Sequence, residues 1–398
     1  MTTSPNLTNG RSVLCCVFLF VVFAQSFGQN LSDDTYGKGL TVQAKDSSFF
    51  VKFGFRFQTL YLGTTDLRTR EYQEQMLIRR SRLKFEGFAY DPRVTYKVEL
   101  ALSNRDHSSG HEPEFSETAS IVLDAVMKWK FSPGWELWFG QTKLPGNRER
   151  VISSQKLQFV DRSLVNSRFN LDRDVGVQLH HTSGSNVIFK QALAISLGEG
   201  RNITEDIPSS GRQVTGRVEI LPMGEFTGKG DYFGSDLKRE KTPKLSIGLT
   251  GDYNSQTVRQ RGNLGRFLYN ELTPEEGDYL YTNISTFMAD MMFKYNGWSV
   301  ASEYAKRDVA DDDKGFGYGD GFVVQAGYLL PSNWEFAGRF TDINGGVNSP
   351  ISDITEYTFG ISHYIKGHNL KIQTDYSYQQ RQGTFNRTIF RFQTELAF

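Results

Sequence analysis

The sequence predicts an all-β chain, folded as an antiparallel up-and-down β-barrel that spans a membrane with about sixteen strands. Three observations predict it. Apolar and polar residues alternate with a period of two in segment after segment. The connections between these segments alternate between short and long. An export signal comes first, and no later apolar run reaches the ~20 residues of a spanning helix.

The export signal is the first element. Arg11 precedes the apolar run Val13–Ala24, which ends in QSFG, giving the basic, apolar and small-residue order of a cleaved secretory leader over residues 1–28. Both cysteines, Cys15 and Cys16, lie inside it. The exported chain therefore offers no disulfide framework and no thiolate metal site. The 45 basic and 45 acidic residues give zero net charge, so no general pull toward nucleic acid is expected. Electrostatic function has to come from local placement. A mean hydropathy of −0.44 suits a barrel, in which only alternate residues face lipid.

A polar segment, 29–47, leads into the barrel, expected over 48–398. It is too short for a plug domain, which argues against an energy-coupled receptor. In FFVKFGFRFQTLY (49–61), Phe49, Val51, Phe53, Phe55 and Phe57 share one face, and Lys52, Arg56 and Gln58 share the other. The next segment places Leu83, Phe85 and Ala89 with Leu77 on the apolar face, and Arg80, Arg82, Lys84 and Glu86 opposite. Arg79 falls on the apolar side, where a long side chain can snorkel. Tyr96, Val98, Leu100 and Leu102 alternate with Lys97 and Glu99. Leu123, Ala125, Met127, Trp129 and Phe131 alternate with Asp124, Lys128 and Lys130. Further strands are expected at 135–143, 174–181, 187–196, 213–221, 244–254, 281–295, 298–306, 321–330, 334–342, 356–365, 370–378 and 386–398.

Short turns fall at 90–93, 132–134, 182–186, 296–297, 331–333 and 366–369. Long loops fall at about 62–76, 103–121, 144–173, 197–212, 255–280, 307–320, 343–355 and 379–385. Only 222–243 is long on the short-turn side, which suggests an extra hairpin or a missed strand pair. Trp129 and Trp135, Tyr295 and Trp298, and Tyr328 and Trp334 flank three short turns on the outward face, as an aromatic girdle does. The chain ends in TIFRFQTELAF, an amphipathic strand closing on Phe398, similar to the signal read by outer-membrane barrel assembly machinery.

RRSRLKFEG (79–87), LDAVMKWKFSPGWELWFGQTKLP (123–145), FVDRSLVNSRFNLDRDVGVQLH (159–180), RVEILPMGEF (217–226), VQAGYLLPSNWEFAGRF (324–340) and HYIKGHNLKIQTDYSY (363–378) together resemble the phosphate-selective porin O and P family, in its Bacteroidetes-type form. The resemblance covers nearly the whole exported chain. It implies a sixteen-stranded outer-membrane barrel, a homotrimer, with a long third extracellular loop folded into the lumen and basic side chains that attract anions. Here that loop would be 144–173, following GQTKLP.

The candidate anion-binding wall is Lys52, Arg56, Arg80, Arg82, Lys84, Lys128 and Lys130. The candidate constriction residues are Lys143, Arg148, Arg150, Lys156, Arg162 and Arg168. Fixed cations in a low-dielectric tube concentrate anions such as phosphate, and Arg can grip phosphate through two parallel hydrogen bonds. Inward acids such as Glu86, Glu99, Asp124 and Glu136 support a second account, in which Arg and Glu pair to hold the wall of a non-selective diffusion porin. A barrel hydrolase is the third. His180 faces the lumen and His181 the lipid by parity, while His107, His111, His363 and His368 are scattered. DVADDDKG (308–315) reads as a solvated acidic loop lacking EF-hand spacing, although calcium bridging to lipopolysaccharide is the alternative. GFGYGDG (315–321) lacks the Lys-Ser/Thr of a nucleotide loop. No cofactor or metal is expected. The reading is a passive porin facing outer-membrane lipid and lipopolysaccharide.

Overall fold

The structure, a computed structural model, describes residues 36–103, 121–202, 211–269, 279–311 and 315–398. The leader 1–28, His107, His111, Asp312 and Asp313 lie outside the described residues. Residues 1–38 separate from the unit Gly39–Phe398, which forms the barrel.

The first half of the barrel unit carries β1 (Leu40–Gln43), β2 (Phe49–Asp66), β3 (Tyr72–Ala89), β4 (Asp91–Ala101), β5 (Val122–Ser132), β6 (Trp135–Lys143), β7 (Arg173–Gly184), β8 (Ile188–Ser196) and β9 (Gln213–Leu221). The second half carries β10 (Lys244–Thr257), β11 (Thr282–Tyr295), β12 (Trp298–Val309), β13 (Gly319–Leu329), β14 (Trp334–Gly345), β15 (Ile354–His368), β16 (Leu370–Arg381) and β17 (Arg387–Ala397). Each of β2 to β17 pairs antiparallel with the next, and β17 returns to β2 with Ala397 opposite Arg56. Sixteen strands thus close a ring, so no sheet edge meets lipid.

Four expectations are corrected. The lead-in 29–47 contains a strand: β1 pairs with β2, Leu40 opposite Phe53. It extends along the same edge of β2 that β17 leaves at its end. β2 and β3 each run for 18 residues, so the first long loop shrinks to 67–71. A bulge leaves Arg79 unpaired between Gln58↔Arg80 and Thr59↔Ile78. The extra residue flips the alternation. Leu77 therefore lies opposite lumen-facing Leu60, and Arg79 turns inward instead of snorkelling. A second bulge leaves Leu123 unpaired and buried. The fourth concerns 222–243, which holds no hairpin. It carries only a short helical turn, Gly230–Tyr232, and its middle is buried, with Phe226 at 3 % exposure and Asp231, Ser235 and Asp236 at 1 % each, while 227–229 and 241–243 are exposed.

The period-two faces otherwise hold. Trp129, Tyr295, Trp298 and Trp334 are exposed on the outside. Trp298 packs on Tyr328, Trp135 stacks on His181 and Trp334 stacks on His363. His180 stacks inside on Trp138. The turn at 296–297 is tight because Asn296 and Gly297 both take positive φ, 46° and 90°, the Asn-Gly signature of a two-residue hairpin.

Phe55 tests the face assignment. Its ring lies 5.6 Å from that of Phe398 and 6.1 Å from that of Phe57 on the outer surface. Phe55→Arg places a charge in the lipid band, at a cost of up to about 2–4 kcal/mol at the bilayer midplane. Loss of the heat-modifiable folded band on a gel is the expected outcome, and normal membrane insertion would show the face to be assigned wrongly.

Candidate functional site

The loop 144–172 folds into the barrel and crosses it. Ser163 caps the helix Leu164–Phe169 by accepting from the Asn166 amide. That helix buries Val165 and Phe169 in an apolar cluster with Met288, Ala305, Val323 and Ile343 from the inner wall. Arg307 donates to the carbonyls of Phe169 (2.9 Å) and Asn170 (3.3 Å), taking up carbonyls that the helix end leaves open. The loop tip reaches the opposite wall. Ser154 Oγ accepts from Arg56 (2.8 Å), and Asp161 meets Arg79 (3.1 Å) and Arg80 (3.2 Å). Lys371 and Gln373 donate to the carbonyls of Leu157 and Gln158.

The candidate constriction residues divide into two groups. Arg148 is an anchor. Only 1 % exposed, it donates to Asp290 (2.7 Å), Ser246 (2.8 Å) and the Asp231 carbonyl (3.2 Å). Arg150 binds Asp172 at 2.7 Å. Arg162 ties the loop to itself through the carbonyls of Glu149 and Ile152, both at 2.7 Å. Burial lowers the pKa of its guanidinium, and the charges of Arg150, Arg80 and Arg82 add to the shift. Arg168 is half-buried. Lys143 and Lys156 instead line a cavity of about 1070 Å³. Lys143 Nζ sits 2.7 Å from the Arg150 carbonyl, and Lys156 Nζ sits 3.8 Å from the Phe233 ring centroid. Burial pushes the Lys156 ammonium down to about 8, with Lys84 adding to the shift.

The wall residues divide too. Arg82, Lys128 and Lys130 line the same cavity. Arg56 and Arg80 lie under the loop tip, while Lys52 and Lys84 flank Glu86 (3.9 and 2.5 Å). Acids interleave with these cations: Arg82 pairs with Glu99 at 2.8 Å, and Lys97 with Asp124 at 2.6 Å. Lys128 lies 3.4 Å from the Trp138 ring centroid. Among the described residues the lining carries eleven basic and six acidic side chains. Sequence reasoning missed Arg93, Lys190 and Lys229 in this lining, together with the segment Glu225–Phe233. Inward parity in 187–196 was a usable signal for Lys190. For 222–243 the only signal was its length.

A closed barrel, outwardly apolar with an aromatic girdle and holding a charged cavity, defines a channel-forming outer-membrane protein. The family model for phosphate-selective porin O and P matches residues 51–390, and the chain belongs to that family. It is an outer-membrane porin for passive diffusion. An uncharacterized protein of Aquifex aeolicus (strain VF5) is 24% identical over 343 residues, covering 79% of this chain and 77% of the relative. The anion-selective porin from Comamonas acidovorans shares the fold at a TM-score of 0.57 and 10% identity, covering 88% of this chain and 100% of that one. Salmonella typhi OmpF, solved with daunomycin, does so at 0.56 and 11%, covering 90% and 100%.

Two outcomes are expected. Burial opposes ionisation of Asp161, yet Arg79 and Arg80 more than offset it and hold its carboxyl below the usual range. A depressed carboxylate stabilises docking fully above its free value of about 4, and the contribution is lost as pH falls through the docked value. Asp161→Asn leaves two guanidiniums short of a carboxylate, at a cost between the ~1 kcal/mol of a surface pair and the ~3–5 of a buried one. Larger and noisier single-channel currents should follow, and wild-type currents would mean that the carbonyl contacts alone hold the tip. Lys156 loses its charge as pH rises through about 8. Any anion preference should therefore weaken between about pH 7 and about pH 9 and be retained in Lys156→Arg; a flat profile in the wild type would remove Lys156 from the pathway.

Proposed function

We propose that the cavity is an anion-biased pathway for small solutes of the phosphate class, driven by the solute gradient alone. The carrying observation is the excess of basic side chains in its lining, together with two lysines whose ammonium groups sit on aromatic rings. Lys128 lies over Trp138 and Lys156 over Phe233, both beside the cavity. A cation on a ring face is held in place without a carboxylate to neutralise it. Such charges raise the local anion concentration inside low-dielectric walls. The reading includes no catalytic step: His180 is engaged by Trp138 and by Gln178 at 3.0 Å. It extends to a cleaved leader over 1–28, assembly through the strand ending in Phe398, a lipopolysaccharide-facing outer rim and a homotrimer.

The interleaved acids favour a second reading, a general diffusion porin in which the pairs of Arg82 with Glu99 and Lys97 with Asp124 only brace the wall. The reversal potential across a salt gradient in a planar bilayer separates the two. Anion preference, with phosphate blocking chloride current, supports the first, and Lys128→Glu with Lys156→Glu should move the potential toward cations. A large conductance without preference supports the second.

A further inference from the structure

We propose that 222–243 is a second constriction element. It meets the loop 144–172 inside the barrel, closes the β10–β17 side of the lumen and confines solute to the basic side. The proposal rests on the lumen being a conducting path, and not on which ion it prefers.

The contact between the two segments is built. The Gly234 amide donates to the Lys156 carbonyl at 2.7 Å. A Cβ on Gly234 would lie 2.5 Å from the Gln158 nitrogen and 2.9 Å from the Leu157 carbonyl carbon, so the approach requires glycine. Arg148 donates to the Asp231 carbonyl from the loop side. Phe233 carries the Lys156 ammonium on one side and packs on His368.

The segment is also fastened to the wall. Lys294 of β11 donates to the carbonyls of Phe233 (3.1 Å) and Ser235 (2.8 Å). Asp236 accepts from the Gly297 amide at 2.8 Å, and the Glu240 carbonyl from the Asn296 amide at 2.8 Å, tying it to the tight turn between β11 and β12. Arg239 donates to the carbonyls of Leu329 and Leu330 at the end of β13. On the other flank, Asp231 pairs with Lys190 of β8 at 2.7 Å, and Tyr232 donates to Glu219 of β9 at 3.1 Å. A linker passing outside the barrel would need none of these bonds.

The result is asymmetric. The cavity lining comes from β3 to β9, the two inserted segments and the turn at 133–134; none of its lining residues belongs to β10–β17. On the far side Ser299 of β12 is 2 % exposed beneath the loop tip, bonded to Gln158 at 2.8 Å. The loop 144–172 and the inserted segment together leave solute beside Arg82, Lys97, Lys128 and Lys190.

Cysteine accessibility tests this, because the two cysteines of the sequence lie at 15 and 16, ahead of the barrel unit. A charged methanethiosulfonate reagent should react with Lys130→Cys and change the current, and should leave Ser299→Cys untouched. Replacing 227–238 by a short Gly-Ser turn should raise conductance by roughly twofold, as the second half of the lumen opens to ions. Ready modification of Ser299→Cys in the intact chain, or unchanged conductance after shortening, overturns the proposal. If the shortened variant does not insert, the contrast in the intact chain decides. Absence of anion preference in the wild type would refute the proposed selectivity and leave this contrast standing.

Discussion

Closure of the hydrogen-bonded ring is the constraint on which the rest depends. Hydrocarbon offers no partner to an open backbone, so a sheet crosses a bilayer only when its last strand returns to its first. Here β17 returns to β2, Phe398 exchanges backbone hydrogen bonds with Phe55, and β1 takes the remaining edge of β2. With the ladder complete, side chains are free to sort by solvent. Odd positions in β2 carry phenylalanine to the lipid, while Arg56 and Gln58 face a lumen where burial demands partners.

That demand explains how a long loop can occupy the barrel. Segments inside a lumen must satisfy their own polar groups and those they cover. The loop 144–172 does both, with Arg148 in a cluster with Asp290 and Glu219 on one side and Asp161 between Arg79 and Arg80 on the other. Ion pairs in such places gain little net stability, because desolvation offsets most of the attraction, but breaking one is costly. Their effect here is to fix one position for the loop. The apolar packing of Val165 and Phe169 against the wall supplies the non-directional part of the attachment.

Arginine supplies many of the ties, alongside Lys97, Lys190, Lys294 and Lys371. The flat guanidinium fork suits paired carboxylates and rows of carbonyls, and Arg148, Arg162, Arg173 and Arg217 all serve as ties of that kind. The compact ammonium suits a ring face, and Lys128 and Lys156 sit there beside the cavity. A ladder that reads as one series of cations thus contains structural braces and a smaller set of lysines left on ring faces beside the cavity.

Period-two alternation determined the barrel from sequence alone, because each strand must show one face to lipid and the other to water whatever its neighbours are. That rule placed 135–143 and 213–221 to the residue and put Arg56, Arg82 and Lys128 inside. It failed where one residue was inserted, at Arg79 and Leu123, since a bulge leaves no mark on composition but flips every side chain on one side of it. It could not reveal which cations would be covered, because Arg80 and Arg148 meet Asp161 and Asp290 only once the ring closes and the loop enters it. Nor could it place 222–243, whose partners Lys156, Lys190 and Lys294 are strung along the chain. Faces are local and were legible; occupancy of the lumen is a contact between distant segments, and only the tertiary structure decided it.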